Sequence, residues 1–246
     1  MKKTTVFIIA LLLATTVSHA QWGWGKGKKI KGNGDMTTIS RTTSDYDEVA
    51  VAGSFDVELV SGTEGKITLE GESNLLQYVE TEVSGDKLKI KVKKGYSLRV
   101  SNNKKLLITV PFEDLRTVSL SGSGDVYTKN AIIKARKFKM ALAGSGDIIL
   151  DVDASDLDMA VSGSGDMTAR GNADNADIRL AGSGDIHAYK LEAKNAEVSL
   201  AGSGDIRVNV KNNLKARVAG SGDITYKGNP STEDTKVSGS GSISMN

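Results

Sequence analysis

The chain has 246 residues, with no Cys, two His and 5% aromatic residues, and its 32 Lys and Arg stand against 30 Asp and Glu. Without Cys there is neither a disulfide framework nor a thiol nucleophile, and with so few His a His-rich zinc site is excluded. The near balance of charge argues against nucleic acid as a partner, because phosphate binding needs a marked basic excess.

The first predicted element is an export signal over residues 1–20. Lys2 and Lys3 precede an apolar run from Val6 to Leu13 and a small-residue site at Ser18-His19-Ala20. The mature chain is expected to start at Gln21 and, with Lys2 and Lys3 removed, to hold 30 basic and 30 acidic residues. The apolar run is shorter than the roughly 20 residues of a spanning helix, and no later stretch approaches that length, so no transmembrane segment is expected after cleavage. The expected location is the periplasm, the outer membrane's surroundings or the extracellular surface.

Residues 21–35 form a Gly/Lys/Trp leader in which Lys26, Lys28, Lys29 and Lys31 face a single acid, Asp35, and which holds Trp22 and Trp24. It reads as a flexible tether; the sharper alternative sets the two Trp against lipid headgroups or sugars. Behind it, residues 36–246 carry 26 basic and 29 acidic side chains.

Residues 36–112 are predicted as an irregular β-rich N-terminal part. Alternation is visible in Phe55-Val57-Leu59, Ile67-Leu69, Leu88-Ile90-Val92 and Leu106-Ile108-Val110. Polar bends at Gly62-Thr63-Glu64-Gly65, Ser84-Gly85-Asp86 and Ser101-Asn102-Asn103 separate these runs, and Pro111 marks the join to the C-terminal half. This part is expected to cap the regular body, whose end would otherwise present unpaired backbone groups.

Residues 113–246 carry the strongest signal. Seven times, beginning at Gly122, Gly144, Gly163, Gly182, Gly202, Gly220 and Gly239, the chain writes Gly-Ser-Gly followed by Asp, or in the last copy by Ser242. The acids step by 22, 19, 19, 20 and 18 residues. A period of about 20 is too short for two packed helices and suits strands and turns, which is the signature of a β-solenoid. Around each glycine phrase the apolar residues alternate, as in Leu157-Met159-Val161 with Met167-Ala169, or Ala196-Val198-Leu200 with Ile206-Val208. Lys139, Asp158, Arg179, Ser199 and Arg217 fall on the opposite, solvated face. A second punctuation lies midway, at Lys129-Asn130, Asp153-Ala154-Ser155, Gly171-Asn172, Lys194-Asn195, Lys211-Asn212-Asn213 and Gly228-Asn229-Pro230. Read as turns, these predict two short strands per rung. Seven rungs at roughly 4.8 Å make a body about 34 Å long. A parallel solenoid is preferred over an antiparallel meander of the same period, because it alone sets every glycine turn and every inward aliphatic in a column. Ala52-Gly53-Ser54-Phe55-Asp56-Val57 is a degenerate copy of the phrase, which suggests that the coil begins upstream.

Gly32-Asn33-Gly34, the degenerate phrase at 52–57, Asn74-Leu75-Leu76, Thr81-Glu82-Val83, Leu88-Lys89-Ile90 and the repeated Gly-Ser-Gly-Asp together resemble the putative auto-transporter adhesin head domain family, called GIN. The resemblance covers most of the mature chain. It implies an all-β, right-handed parallel β-helix in envelope-associated proteins, mainly of the Bacteroidetes type. For a chain ending at Asn246 the expectation is a head module without a translocator barrel.

Stacked turns would set Asp125, Asp147, Asp166, Asp185, Asp205 and Asp223 in a column of like charge, with neighbours repelling by roughly 0.9 kcal/mol in water. The bland account has each carboxylate accept bonds within its own turn; the sharper one is a cation ladder, with Ca²⁺ the natural oxygen-liganded ion. No other cofactor is expected. His187, the one His of the mature chain, reads as ordinary surface, and no residue is offered as catalytic. The function expected is a non-catalytic, exported binding or adhesin-like module whose partner is a surface glycan or an envelope protein. Two alternatives stay open, a polysaccharide-acting β-helix enzyme and a periplasmic structural or regulatory protein. The last phrase, Val237 to Ile243, lies at an edge where self-association through strand pairing is expected.

Overall fold

The computed structural model describes residues 27–246. Residues 1–20, read from the sequence as an export signal, and Trp22, Trp24 and Lys26 of the leader lie outside the described residues.

The repeats form a parallel solenoid, and the glycine phrases stack in register: Gly122 pairs with Gly144, then Gly163, Gly182, Gly202, Gly220 and Gly239. The inward columns follow from the alternation. Phe138, Leu157, Ala176, Ala196 and Leu214 stack through the rungs, as do Met140, Met159, Ile178, Val198 and Ala216, and all are buried. Each buried large aliphatic side chain contributes about 1.5–3 kcal/mol, so these columns are what hold one rung on the next. The antiparallel alternative is thereby set aside for this part of the chain.

The second punctuation differs from its prediction. Ile148–Gly163, Met167–Gly182, Ile186–Gly202 and Ile206–Gly220 run as continuous strands of 16, 16, 17 and 15 residues from one glycine phrase to the next. Positive φ occurs there at Asn130, Gly171 and Gly228 only, not at the remaining Asn. Elsewhere the chain bends by letting two successive side chains, such as Asp174 and Asn175, both turn away from the core while the ladder continues. Beyond the bend the pairing resumes in the same register, Ala173 with Ala193 and Asn175 with Asn195, and only Asp174 and Lys194 are left out of the ladder.

Upstream, order in space departs from order along the chain. Glu48–Gly53 pairs in parallel with Thr117–Gly122 on one side and with Lys87–Val92 on the other. Asp56–Ser61 likewise lies between Val126–Thr128 and Leu107–Phe112. The degenerate phrase at 52–57 therefore is a rung of the coil, held between segments 87–112 and 117–128. Three antiparallel pairings close this end: Met36–Thr42 with Lys66–Glu72, Lys66–Glu72 with Leu107–Phe112, and Val79–Ser84 with Lys87–Val92. Tyr46, buried between them, donates its hydroxyl to the Pro111 carbonyl. The buried apolar residues from Tyr46 to Tyr226, Leu75 excepted, form one continuous core.

The tether reading of the leader is corrected over its second half. Lys28–Lys31 forms a parallel pair with Tyr96–Arg99, and the turn after it is pinned to the four-residue helix Ser73–Leu76. Asn74 accepts the Asn33 N–H at 3.1 Å and donates to the Lys31 carbonyl at 2.8 Å. Glu72, wholly buried, accepts the N–H groups of Gly34 at 2.6 Å and Ser101 at 2.8 Å.

Candidate functional site

The column of acids forms as the stacked turns require, but its bonds run between rungs. Asp125 Oδ1 accepts the N–H of Asp147 at 3.1 Å, Asp147 that of Asp166 at 3.0 Å, and Asp166 that of Asp185 at 2.8 Å. The pattern continues from Asp185 to Asp205 at 2.8 Å, from Asp205 to Asp223 at 3.0 Å, and from Asp223 to the N–H of Ser242 at 2.7 Å. Asp56 opens the series by accepting the Asp125 N–H at 3.2 Å. This corrects the expectation that each carboxylate serves its own turn: the parallel register brings the next rung's amide within reach. Burial pushes the Asp125 carboxyl up, and the charges of Asp56 and Asp147 add to that, against the pull of the Asp147 N–H.

Asp166→Asn keeps the accepting oxygen and removes one of a row of like charges, so it is expected to change stability by no more than about 0.5 kcal/mol. Asp166→Ala strands the Asp185 N–H and is expected to cost about 1–2 kcal/mol in urea unfolding. In the same assay, calcium in place of chelator is expected to leave the midpoint where it was; a saturable rise would assign a cation to the column.

A groove of about 820 Å³ runs along the solenoid axis at the bend ahead of the glycine phrases. Its floor passes over Phe138, Leu157, Ala176, Ala196 and Leu214, the buried residues at that bend. One wall is a ladder of side-chain amides. Asn175 donates to Asp156 at 3.0 Å, Asn195 to Asn175 at 3.0 Å, and Asn213 to Asn195 at 2.6 Å. The other wall, two residues on in each rung, is a row of charges: Lys139, Asp158, Asp177, Glu197, Lys215 and Asp234. Three acids on successive rungs are offset by Arg179, which lies 3.3 Å from Asp158 and also pairs with Asp177, and by Lys215, 2.6 Å from Glu197. Burial raises the Asp177 carboxyl, and the charges of Asp158 and Glu197 reinforce this against Arg179. The Lys215 hydrogen bond and charge hold the Glu197 carboxyl below its ordinary value.

Sequence reasoning missed this wall because Asn195 and Asn213 looked like turn formers and Asn175 and Asp156 stood outside the punctuation. The signal that could have found it is their constant offset: Asp156, Asn175, Asn195 and Asn213 each stand seven residues before the first glycine of a phrase. In the groove these groups offer paired donors and acceptors at each rung above an apolar floor. The lining includes neither His nor Cys, so no thiol or imidazole chemistry belongs to it. His187 lies elsewhere, its Nδ1 3.2 Å from the Arg207 guanidinium.

A second hollow of about 810 Å³ lies on the sheet face leading into the glycine phrases, lined by Ala141, Ala143, Ala160, Ser162, Ala181 and Ala201, with Lys89 and Lys91 at its upper margin. Among the described residues no three His, Asp or Glu converge as a metal site, and no helix is long and apolar enough to cross a membrane.

The family described as "Putative auto-transporter adhesin, head GIN domain" matches residues 45–230. A putative adhesin from Bacteroides fragilis superposes with a TM-score of 0.80 at 24% identity, covering 88% of this chain and 100% of its own. A putative lipid binding protein from Parabacteroides distasonis gives 0.72 at 29% identity, covering 89% and 100%. A putative adhesin from the same species gives 0.64 at 26%, with the same coverage. Comparison with curated proteins finds no match.

Proposed function

The chain belongs to the putative auto-transporter adhesin head GIN domain family, and on that basis we propose that it is an exported, non-catalytic binding module that holds an extended polar ligand, a surface glycan, in the axial groove. The observation that supports this is the amide ladder facing a row of charges over an apolar floor, repeated at the rung spacing. A chain of hydroxyl-bearing units laid along the axis meets the amide row on one side and the charged row on the other at every rung. Catalysis has no comparable support, because an enzyme needs a nucleophile or an acid–base pair converging on one bond, and the groove spreads its groups evenly.

Two measurements test the reading. Protease shaving of intact source cells is expected to digest residues 21–246 while a periplasmic control survives; protection until the outer membrane is breached would sink the surface assignment. On an array of surface oligosaccharides the purified chain is expected to bind, and Asn195→Leu, which cuts the ladder in two, to weaken binding about tenfold, the equivalent of about 1.4 kcal/mol. Binding untouched by Asn195→Leu would remove the groove from the account. Lipid is the second reading, favoured by the small-residue hollow and by the lipid-binding name of the relative at 29% identity. Capture of acyl chains in competition with Ala160→Trp would support it.

A further inference from the structure

The two ends of the solenoid are built differently, and the difference points to a partner. The upper end is closed by antiparallel strands and the pinned turn at 32–35. At the lower end, Thr232–Gly239 and Ile243–Met245 pair upward, with Ile206–Gly220 and Ile224–Gly228. Among the described residues nothing pairs with their lower edge. The inward residues of this last rung remain uncovered: Val237 and Met245 are 42% and 55% exposed, and Ile243 is only half-buried. Such an edge is a template for another strand.

We propose that the occupant is a second copy of this chain, docked end to end about a two-fold axis through Thr235. The register is selected by charge. Along Thr232–Gly239 the residues facing outward are Thr232, Asp234, Lys236 and Ser238, and those facing inward are Glu233, Thr235 and Val237, continuing the buried column of Leu214, Ala216 and Val218. Among antiparallel pairings that keep inward residues opposite inward residues, those centred on Thr235 and Lys236 overlap seven of the eight residues of this strand, and those centred on Asp234 and Val237 only five. Centring on Asp234 opposes two acids, and centring on Lys236 opposes two Lys. Centring on Thr235 places Asp234 of each copy opposite Lys236 of the other, twice, which is the favourable cross-strand arrangement. The contact is isologous and closed, so it ends at a dimer rather than a fibre. It brings the exposed Val237 and Met245 of both copies to the joint, and because Asp234 also ends the charged wall of the groove and pairs there with Arg217 of its own chain, the dimer is measured with no glycan present.

Sedimentation equilibrium of the mature chain, from micromolar to submillimolar concentration, tests the pairing. The wild type is expected to dimerise, and Lys236→Asp and Asp234→Lys each to be monomeric while their circular dichroism stays that of the wild type. An equimolar mixture of the two variants restores both Asp–Lys pairs and is expected to dimerise again. A separate probe does not depend on charge. In a chain without Cys, Thr235→Cys lies on the two-fold and is expected to oxidise to a disulfide-linked dimer faster than Asn102→Cys, which lies away from the joint. A monomeric wild type, variants that dimerise as well as the wild type, a mixture that stays monomeric, or equal oxidation of the two Cys variants would each overturn the proposal.

Discussion

Gly184→Ala is expected to lower the melting temperature by about 10–15 °C, the equivalent of about 3–5 kcal/mol for a body of this size. A Cβ at Gly184 would stand 2.0 Å from the carbonyl oxygen of Gly165 in the preceding rung. What it meets is backbone, so no side-chain rotation gives way. That backbone is itself fixed, since the Gly163 carbonyl accepts the N–H groups of Ser183 at 2.9 Å and Gly184 at 3.3 Å. The partner position, Gly182, is constrained twice over: its φ is +145° and its Cβ would lie 2.1 Å from the Gly163 carbonyl oxygen. Because rungs contact only their neighbours, the damage is expected to divide the solenoid, with amide exchange rising below Gly184 before it rises near Tyr46. Gly62→Ala is the control. Its nearest atom would be Pro111 Cβ at 3.6 Å and its φ is not positive, so the change should stay within about 1 kcal/mol and lean towards stabilising. A Gly184→Ala chain that melts with the wild type would mean that the rungs can part at the glycine column without cost.

Glu72→Ala is expected to cost about 2–4 kcal/mol, because it leaves the Gly34 and Ser101 N–H groups without an acceptor in a buried setting. The loss should appear first as exchange of the amides of Lys28–Lys31, whose strand is anchored through this point. The same carboxylate predicts a pH dependence. Burial alone pushes Glu72 up, but the Ser101 and Gly34 hydrogen bonds, with Lys104 nearby, outweigh it and hold the group below its ordinary value. A folded-state value below the unfolded one contributes stability that is present above the unfolded value and is lost as pH falls through the folded one. The stability gap between wild type and Glu72→Gln is therefore expected to be full at neutral pH and to shrink below about pH 4. A gap that widens in acid would mean that the carboxylate is strained rather than satisfied.

The inward columns were legible in the sequence because each depends only on alternation either side of a glycine phrase, and alternation is local. Phe138, Met159, Ile178 and Val198 are buried as their spacing requires. The acids were legible as a column but not as a chain of bonds, since a sequence shows which residue repeats and not which amide the register brings to it. The bends were misjudged for a related reason: Asn195 and Asn213 carry turn propensity, yet here their amides are occupied by each other. The order of the upper rungs was hidden altogether. Glu48–Gly53 and Lys87–Val92 show the same strand pattern whether they meet each other or not, and pairing partners in an irregular stretch are chosen by the whole cap.

That shuffled order divides the molecule into a part that can be edited and a part that cannot. Below Gly122 each rung is one uninterrupted stretch of chain, so cutting 19 residues between Gly163 and Gly182 removes one complete layer and leaves ends already in register. Above it, the layer at 48–61 is held by segments on both sides that come later in the chain, and no single excision takes a layer away. Lineages of such genes are therefore expected to differ in length by whole layers, gained or lost on the lower side alone, which makes the molecule a ruler graduated from one fixed end.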